Sequence, residues 1–380
     1  MSRQNTIAAD LWSQIFDSFA QDPAAAITDP AHDVAGDEAR MREGMAAAGW
    51  SAAEIDEIAR VQKERIQAAP TTSPGVNPHV EAQYAILCDT IEAAMQRLHL
   101  ESHASVARGI EPRIGPFASK INVIATDESV VTVGAFLFRF CGLVARAFTR
   151  TLQLNPWLWN DADFTSAKAQ KLLHGRPDLL LYWTKIFMSF AMTGTHIGVP
   201  YKPSRPTEVL MMEQIARAME IFAIAHEYGH HHLAHGKDIG ADAKEEEFGA
   251  DQFALKISEE VEIRDVGLPN PFLTSGSGGV ILLRALQILS KFEKALGAGT
   301  VAYETHPPAA ARIARFDSIK VVFPAECAQH KSWRLACSRV MDAVEQELLE
   351  LVAEWPADLK DQARSLRDKI MAEATLKSGV

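Results

Sequence analysis

The 380-residue sequence lacks any run of about 18 uncharged apolar residues, which a membrane-spanning helix needs. The two most apolar stretches, 130–148 and 279–289, are both interrupted by arginine. Residues 1–6 are polar and lead into an amphipathic segment, without the apolar core of a secretory signal. We therefore expect no membrane span and a cytoplasmic location.

Cysteine and basic residues are also scarce. The sequence has four scattered cysteines (Cys88, Cys141, Cys327 and Cys337). Because none forms a Cys-x-x-Cys pair, we expect buried free thiols rather than a disulfide framework. Lys and Arg total 38 against 49 Asp and Glu, a net charge of -11. Nucleic-acid binding needs a basic face, so this balance argues against a nucleic-acid partner and against an anionic membrane surface.

Apolar periodicity and Pro/Gly breaks predict a mainly α-helical chain of the α+β class. A capping box from Ser51 to Glu54 opens a predicted helix over 52–69, and a Pro-rich linker covers 70–78. Further helices are predicted at 80–107, 135–151, 208–235, 244–261, 280–296 and 308–318, with two more after 331 that are broken at Pro356. Strands at 121–126 and 130–133 form the only hairpin that the pattern predicts, and 152–206 shows no clear element.

The strongest chemical signal is His226-Glu227-Tyr228-Gly229-His230, an HExxH motif on a predicted helix. Residues four apart share one helix face, so both imidazoles can reach one zinc ion. Glu227 lies further round the helix than the two histidines, beside the metal rather than on it. From there it can act as a general base and take a proton from a zinc-bound water. Tyr228 is expected to pack.

The alternative interpretation of this motif is a histidine-rich helix end without a metal. His231, His232 and His235 follow closely, and His is common near helix C-termini. Apolar residues at 221–225 argue against it, since they place this helix in a core. A buried Glu between two His needs a partner, and a metal site supplies one.

A catalytic zinc site needs a third protein ligand, and Glu247 is the best candidate. Asp251 lies one turn further along the same predicted helix, where it can accept the other N–H of a zinc-binding histidine. The first-turn acids Glu245 and Glu246 are expected to be solvated. His235 is next in line as the third ligand, although its spacing does not fit the metzincin pattern.

These motifs resemble those of the HtpX and CAAX prenyl endopeptidase group of gluzincin zinc metallopeptidases. That family shows HExxH, then ExxAD on the following helix, which matches residues 247–251. Residues 305–313, with His306, Pro307 and Arg312, resemble its later His-Pro segment, and the hairpin resembles its edge strand. The resemblance covers roughly 117–148 and 206–318. It implies a zincin-like helical core with a small edge sheet, and an oxyanion donor at His306 or Arg312. Tyr303 is a weaker candidate for that donor.

We therefore expect a zinc endopeptidase acting on a protein or peptide, with Glu227 as the base. The alternatives are a narrow-specificity toxin or phage-defence protease, and a non-catalytic zinc-binding regulatory protein. The predicted regions are an N-terminal helical region (1–70), a helical region with the hairpin near 121–134 that contributes to the core (71–205), the metallopeptidase core (206–320) and a helical tail (321–380). The oligomeric state stays open.

Overall fold

A computed structural model describes residues 7, 34–68, 78–100, 104–111, 115–152, 165–196, 199–200, 202–236, 242–265, 270–296, 306–317, 327–355 and 357–376. Helices dominate these residues, and one small sheet accompanies them. The predicted mainly α-helical class is therefore confirmed.

The helices and strands run in the following order. The N-terminal half holds α1 (Val34–Ala47), α2 (Ala52–Ala68), α3 (Pro78–Arg97), β1 (Val106–Glu111), β2 (Ala118–Asn122), β3 (Ser129–Gly134), α4 (Leu137–Leu152), α5 (Ser166–His174) and α6 (Pro177–Thr193). The C-terminal half holds α7 (Pro206–His232), α8 (Ala243–Asp265), α9 (Pro271–Thr274), α10 (Ser277–Ala295), α11 (Ala309–Phe316), α12 (Cys327–Ala353) and α13 (Ala357–Leu376). None of these helices is long and apolar enough to cross a membrane.

The sheet has the strand order β1-β3-β2, with β1 parallel and β2 antiparallel to the central β3. The predicted hairpin is therefore present, but its first strand covers Ala118–Asn122 rather than 121–126, so it both begins and ends earlier than predicted. The side chain of Thr126 explains the early end, because its Oγ1 donates to the Val123 carbonyl and accepts from the Glu128 N–H. These bonds favour a turn over a continued strand.

Strand β1 was not predicted, and its residues were partly assigned to a helix over 80–107. That assignment is wrong beyond Arg97, where α3 ends. His99 has a φ of 53°, a left-handed conformation that stops the helix. Residues 106–111 then gain a hydrogen-bonded partner in β3, a non-local contact that overrides local propensity.

Helix α7 runs through the middle of the described structure and packs against α4, α8 and α10. It begins with Pro206 at its first position, and the Glu208 carboxylate accepts from the Arg205 N–H at 3.0 Å. It ends at His232, three residues before the predicted end at residue 235, because Ala234 already has a left-handed φ of 54° ahead of Gly236. Its buried residues cover most of its circumference, so this helix is a core element.

Several local predictions are confirmed. The Ser51 capping box forms, with the Glu54 N–H donating to Ser51 Oγ at 3.3 Å and the Ser51 N–H donating to Glu54 Oε2 at 2.8 Å. The tail is two helices, α12 and α13, on either side of residue 356. Among the described cysteine side chains, Cys88, Cys141 and Cys337 are buried free thiols, while Cys327 lies outside that set. Most of the 70–78 linker also lies outside the described residues.

The segment 152–206, which the pattern left unassigned, supplies α5 and α6. Trp183 and Phe187 of α6 stack on each other, and Phe190 packs edge-on against Phe140 of α4. One hydrophobic cluster extends from Tyr84 in α3 to Val352 in α12. The division into four regions stays a prediction.

Candidate metal centre

Three metal-ligating side chains converge where α7 meets α8. His226 and His230 lie one turn apart on α7, and Glu247 lies on the second turn of α8. Their ligand atoms all lie within 4.8 Å of one another. His226 and Glu247 are buried, and His230 is half-buried. The structure thus brings together the two motif histidines and the acid that the sequence favours as third ligand.

The separations between these atoms are close to those in a tetrahedral metal site. The two Nε2 atoms are 3.1 Å apart, and each lies 3.4 Å from a Glu247 carboxylate oxygen. Ligand atoms bound tetrahedrally at about 2.0–2.2 Å from one zinc ion lie about 3.3–3.6 Å apart. The three side chains therefore surround a space of the size that a zinc ion requires.

Gly229, inside the motif, allows α8 to approach this closely. A Cβ at this position would lie 3.0 Å from both Ala250 Cα and Phe253 Cβ. Contacts of that length require a neighbouring atom to shift, and Ala250 Cα is a backbone atom of α8. A side chain at position 229 would therefore move α8, and with it Glu247, away from the two histidines.

The charge of the cluster also suits a cation. Burial opposes ionisation of Glu247, but bonds from His226 and His230 outweigh it and hold the pKa of this carboxyl well below its usual range. Burial likewise opposes protonation of His226, yet Asp251 and Glu247 raise its pKa to about 9. Glu247 Oε2 is buried and accepts no well-formed hydrogen bond among the described residues, although His226 Nε2 and Arg312 Nη1 each lie 3.4 Å from it. A metal ion would satisfy this oxygen, so the donor set fits one.

Asp251 lies behind His226, on the side away from Glu247. Its Oδ1 is 3.0 Å from His226 Nδ1, the position from which a carboxylate fixes the ring of a metal-binding histidine. Arg312 of α11 donates to both Asp251 oxygens, from Nε at 2.8 Å and from Nη2 at 2.5 Å. Its remaining nitrogen, Nη1, is 3.4 Å from Glu247 Oε2. This buried arginine therefore links the carboxylates of Asp251 and Glu247. The sequence pattern does not predict this link.

His235 lies beside His230 rather than in the cluster. Its Nδ1 is 2.9 Å from His230 Nδ1, on the ring edge opposite the cluster. Lys120 of β2 donates to the His235 carbonyl at 2.6 Å, which fastens the sheet to the end of α7. The cluster within 4.8 Å thus contains Glu247 and not His235. The adjacent Glu246 accepts from the Gly236 N–H at 2.9 Å, and so faces the chain after α7.

Two further candidates lie beside the cluster. Glu227 is half-buried, and its charge acts on both His306 and Arg312. His306 Nε2 is 3.5 Å from Glu247 Oε1, and its side chain is 44% exposed. Burial lowers the pKa of His306, so the ring is neutral at pH 7. Tyr303 lies outside the described residues. Tyr228 packs as expected, and its hydroxyl donates to Glu92 of α3 at 2.7 Å.

One comparison with known proteins bears on this cluster. The family model described as Peptidase U49 matches residues 199–329. No curated protein and no solved structure matches the chain. The matched segment covers a minority of the sequence but contains every residue of the cluster. It supports a peptidase family and a proteolytic function, without bearing on the HtpX and CAAX prenyl endopeptidase group in particular.

Proposed function

We propose that this protein is a zinc-dependent endopeptidase whose metal is held by His226, His230 and Glu247. The observation that carries the proposal is the convergence of one ligand atom from each of these three residues within 4.8 Å of one another. The peptidase family match over the same segment supports it. A zinc ion bound here would polarise the scissile carbonyl and make a water molecule more acidic.

Glu227 acts as the general base in this proposal. It follows the first ligand on α7, so its side chain lies beside the metal position rather than on it. Its carboxylate takes a proton from the attacking water and passes it to the leaving amine. An intact carboxylate at this position argues against the non-catalytic alternative, because a purely structural zinc site needs no base.

His306 is the better candidate for stabilising the oxyanion. Its half-exposed, neutral ring is next to Glu247 and carries an N–H that can donate to a developing negative charge. Arg312 is the alternative, but two of its nitrogens are bound to Asp251 and the third faces Glu247. Using Arg312 on the substrate would require breaking a buried ion pair, so we assign it to orienting Asp251.

The substrate is a protein or peptide bound in extended form along β2. Among the described residues β2 pairs with β3 alone, which leaves its other edge for main-chain hydrogen bonds. The bond from the Lys120 side chain to the His235 carbonyl, which joins β2 to the end of α7, supports this position for the substrate. The helices outside the matched segment are where a narrow-specificity protease would carry its target recognition.

The test compares wild type with Glu227→Gln, using Glu245→Gln as an exposed control on α8. Glu227→Gln should keep one zinc per chain and its melting temperature but lose nearly all hydrolysis, because only the base is removed. Proteome-wide mapping of new N-terminal peptides should then show cleavage sites in wild type and in the control only. His226→Ala should lose the metal. Cleavage by Glu227→Gln near the wild-type rate would rule out this base, and zinc retained in His226→Ala would rule out the site.

A further inference from the structure

The two proposed zinc-binding histidines are oriented by different partners. His226 Nδ1 lies against the Asp251 carboxylate at 3.0 Å. Within the described ranges, no carboxylate is recorded at Nδ1 of His230. There the neighbouring nitrogen is Nδ1 of His235, at 2.9 Å and with the two rings at 71° to each other. Resting on the proposed function, we propose that His235 is the positioning residue of His230, accepting its Nδ1–H and so directing its Nε2 to the zinc.

The chemistry of the pair assigns the direction of this bond. His230 faces His226 and Glu247 through Nε2, which must be unprotonated to bind a metal. A neutral imidazole then carries its proton on Nδ1 and donates it. The acceptor is His235 Nδ1, so His235 must hold its own proton on Nε2. A ligand histidine held in this way has a fixed tautomer and a fixed ring plane.

The backbone after α7 supports this role, because it adopts a strained conformation that returns His235 to the helix. Ala234 has a φ of 54°, a left-handed conformation that is unfavourable for a non-glycine residue. The His235 N–H donates to the His230 carbonyl at 3.0 Å, and Lys120 holds the His235 carbonyl at 2.6 Å. Such strain persists only where surrounding contacts impose it. Here those contacts bring the two rings together.

Helix α8 leaves room for the same ring. A Cβ on Gly249 would lie 3.3 Å from His235 Cε1 and 3.5 Å from its Nε2. The first contact is tighter than an ordinary van der Waals contact, so a side chain at 249 would press on the imidazole. Gly249 lies between Glu247 and Asp251, the two acids that serve the metal site. One turn of α8 thus supplies a ligand, the acid behind His226 and the space for His235.

The test measures zinc affinity by chelator competition in full-length wild type, His235→Ala and His235→Asn. The Asn carbonyl oxygen occupies the same bonded position as the imidazole Nδ1 and can accept the same proton. We expect His235→Ala to bind zinc about 10–100-fold more weakly. His235→Asn should recover affinity to within a few-fold of wild type. His232→Asn, the same change in a neighbouring histidine, should leave the affinity unaltered.

The outcomes separate this inference from the proposed function. Wild type that binds zinc while His235→Ala binds it equally well overturns the role of His235 and leaves the zinc site intact. Equal weakening in His235→Ala and His235→Asn overturns the acceptor role. Wild type without zinc at His226 and His230 overturns both proposals. Should the variants fail to fold, nitrogen NMR of wild type with zinc decides: His235 Nδ1 should resonate as unprotonated, and a protonated Nδ1 contradicts the inference.

Discussion

The pair formed by Asp251 and Arg312 allows a quantitative test of the arrangement behind the metal site. Replacing Asp251 by Asn keeps the shape of the side chain but removes its charge. The change leaves Arg312, which is 7% exposed, as a buried cation with Glu247 as its remaining neighbouring carboxylate. It also weakens the acceptor for His226 Nδ1, because the amide oxygen must serve both donors.

The expected magnitudes follow from burial. Removing one partner of a buried ion pair costs about 3–5 kcal/mol of unfolding free energy. The lower end applies here, because Glu247 lies 3.4 Å from Arg312 and partly compensates the charge. Losing the acid behind a metal-binding histidine weakens metal affinity by about 10–100-fold. At saturating zinc this adds about 1.4–2.8 kcal/mol to the loss measured without metal.

A matched control joins the same two helices. Glu245 of α8 pairs with Arg315 of α11 at 2.8 Å, but the two side chains are 59% and 45% exposed. Solvent screens such a pair, so Glu245→Gln should cost less than about 1 kcal/mol. It should not alter zinc binding, because neither partner contacts a proposed ligand.

Urea unfolding of both variants, with chelator and with saturating zinc, measures the stability losses, and chelator competition measures the affinity. Asp251→Asn should lose at least twice as much stability as Glu245→Gln in either condition. Equal losses in the two variants, together with unchanged zinc affinity in Asp251→Asn, would refute the inference that Asp251 orients His226 and balances Arg312.

Three further outcomes are expected. Glu247→Gln should weaken zinc binding far more than Glu246→Gln, since Glu246 faces the Gly236 N–H; equal chelator-competition curves would contradict the ligand assignment. His306→Ala should lower kcat about 100- to 1,000-fold while KM, zinc content and melting temperature stay near wild type; activity losses that follow the folded fraction would indicate a structural role. Burial raises the pKa of Glu220 to about 8. The folded protein therefore keeps a proton that the unfolded chain loses above about pH 4, and the free energy of unfolding falls as pH rises between these two values. Glu220→Gln should therefore gain stability over wild type at pH 8 and little at pH 5 in urea unfolding, and an equal difference at both would contradict a neutral Glu220.

Much of the fold was predictable because many of its elements are encoded locally. The capping box at Ser51 and the apolar helix α7 each depend on residues close in the chain. Strand β1 was not predictable in this way, because its 106–111 segment becomes a strand only by pairing with β3. The length of β2 was missed for a related reason, as a threonine side chain in the turn competes with the ladder.

The three residues of the candidate metal cluster were predictable from the sequence, but most of the contacts that surround them were not. Helical spacing alone places His226 and His230 together, and the second acidic pair suggests Glu247. Spacing does not reveal that Arg312 binds Asp251, because these residues lie on different helices and meet through tertiary packing. The role of His235 was hidden as well. It depends on a left-handed Ala234 that no local rule favours.

The arrangement around Arg312 explains why two carboxylates can lie so close to two histidines. Glu247 and Asp251 are both buried, and without a cation their repulsion and desolvation would raise their pKa values. Instead, bonds from Arg312 and His226 outweigh burial and lower the pKa of Asp251. Arg312 thus keeps Asp251 ionised behind His226, while Glu247, whose Oε2 lies 3.4 Å from Arg312 Nη1, converges with His226 and His230 at the candidate metal position. Arg312 bonds to both oxygens of Asp251 and lies farther from Glu247, so one turn of α8 can carry an acid that orients His226 and an acid placed to bind a divalent ion.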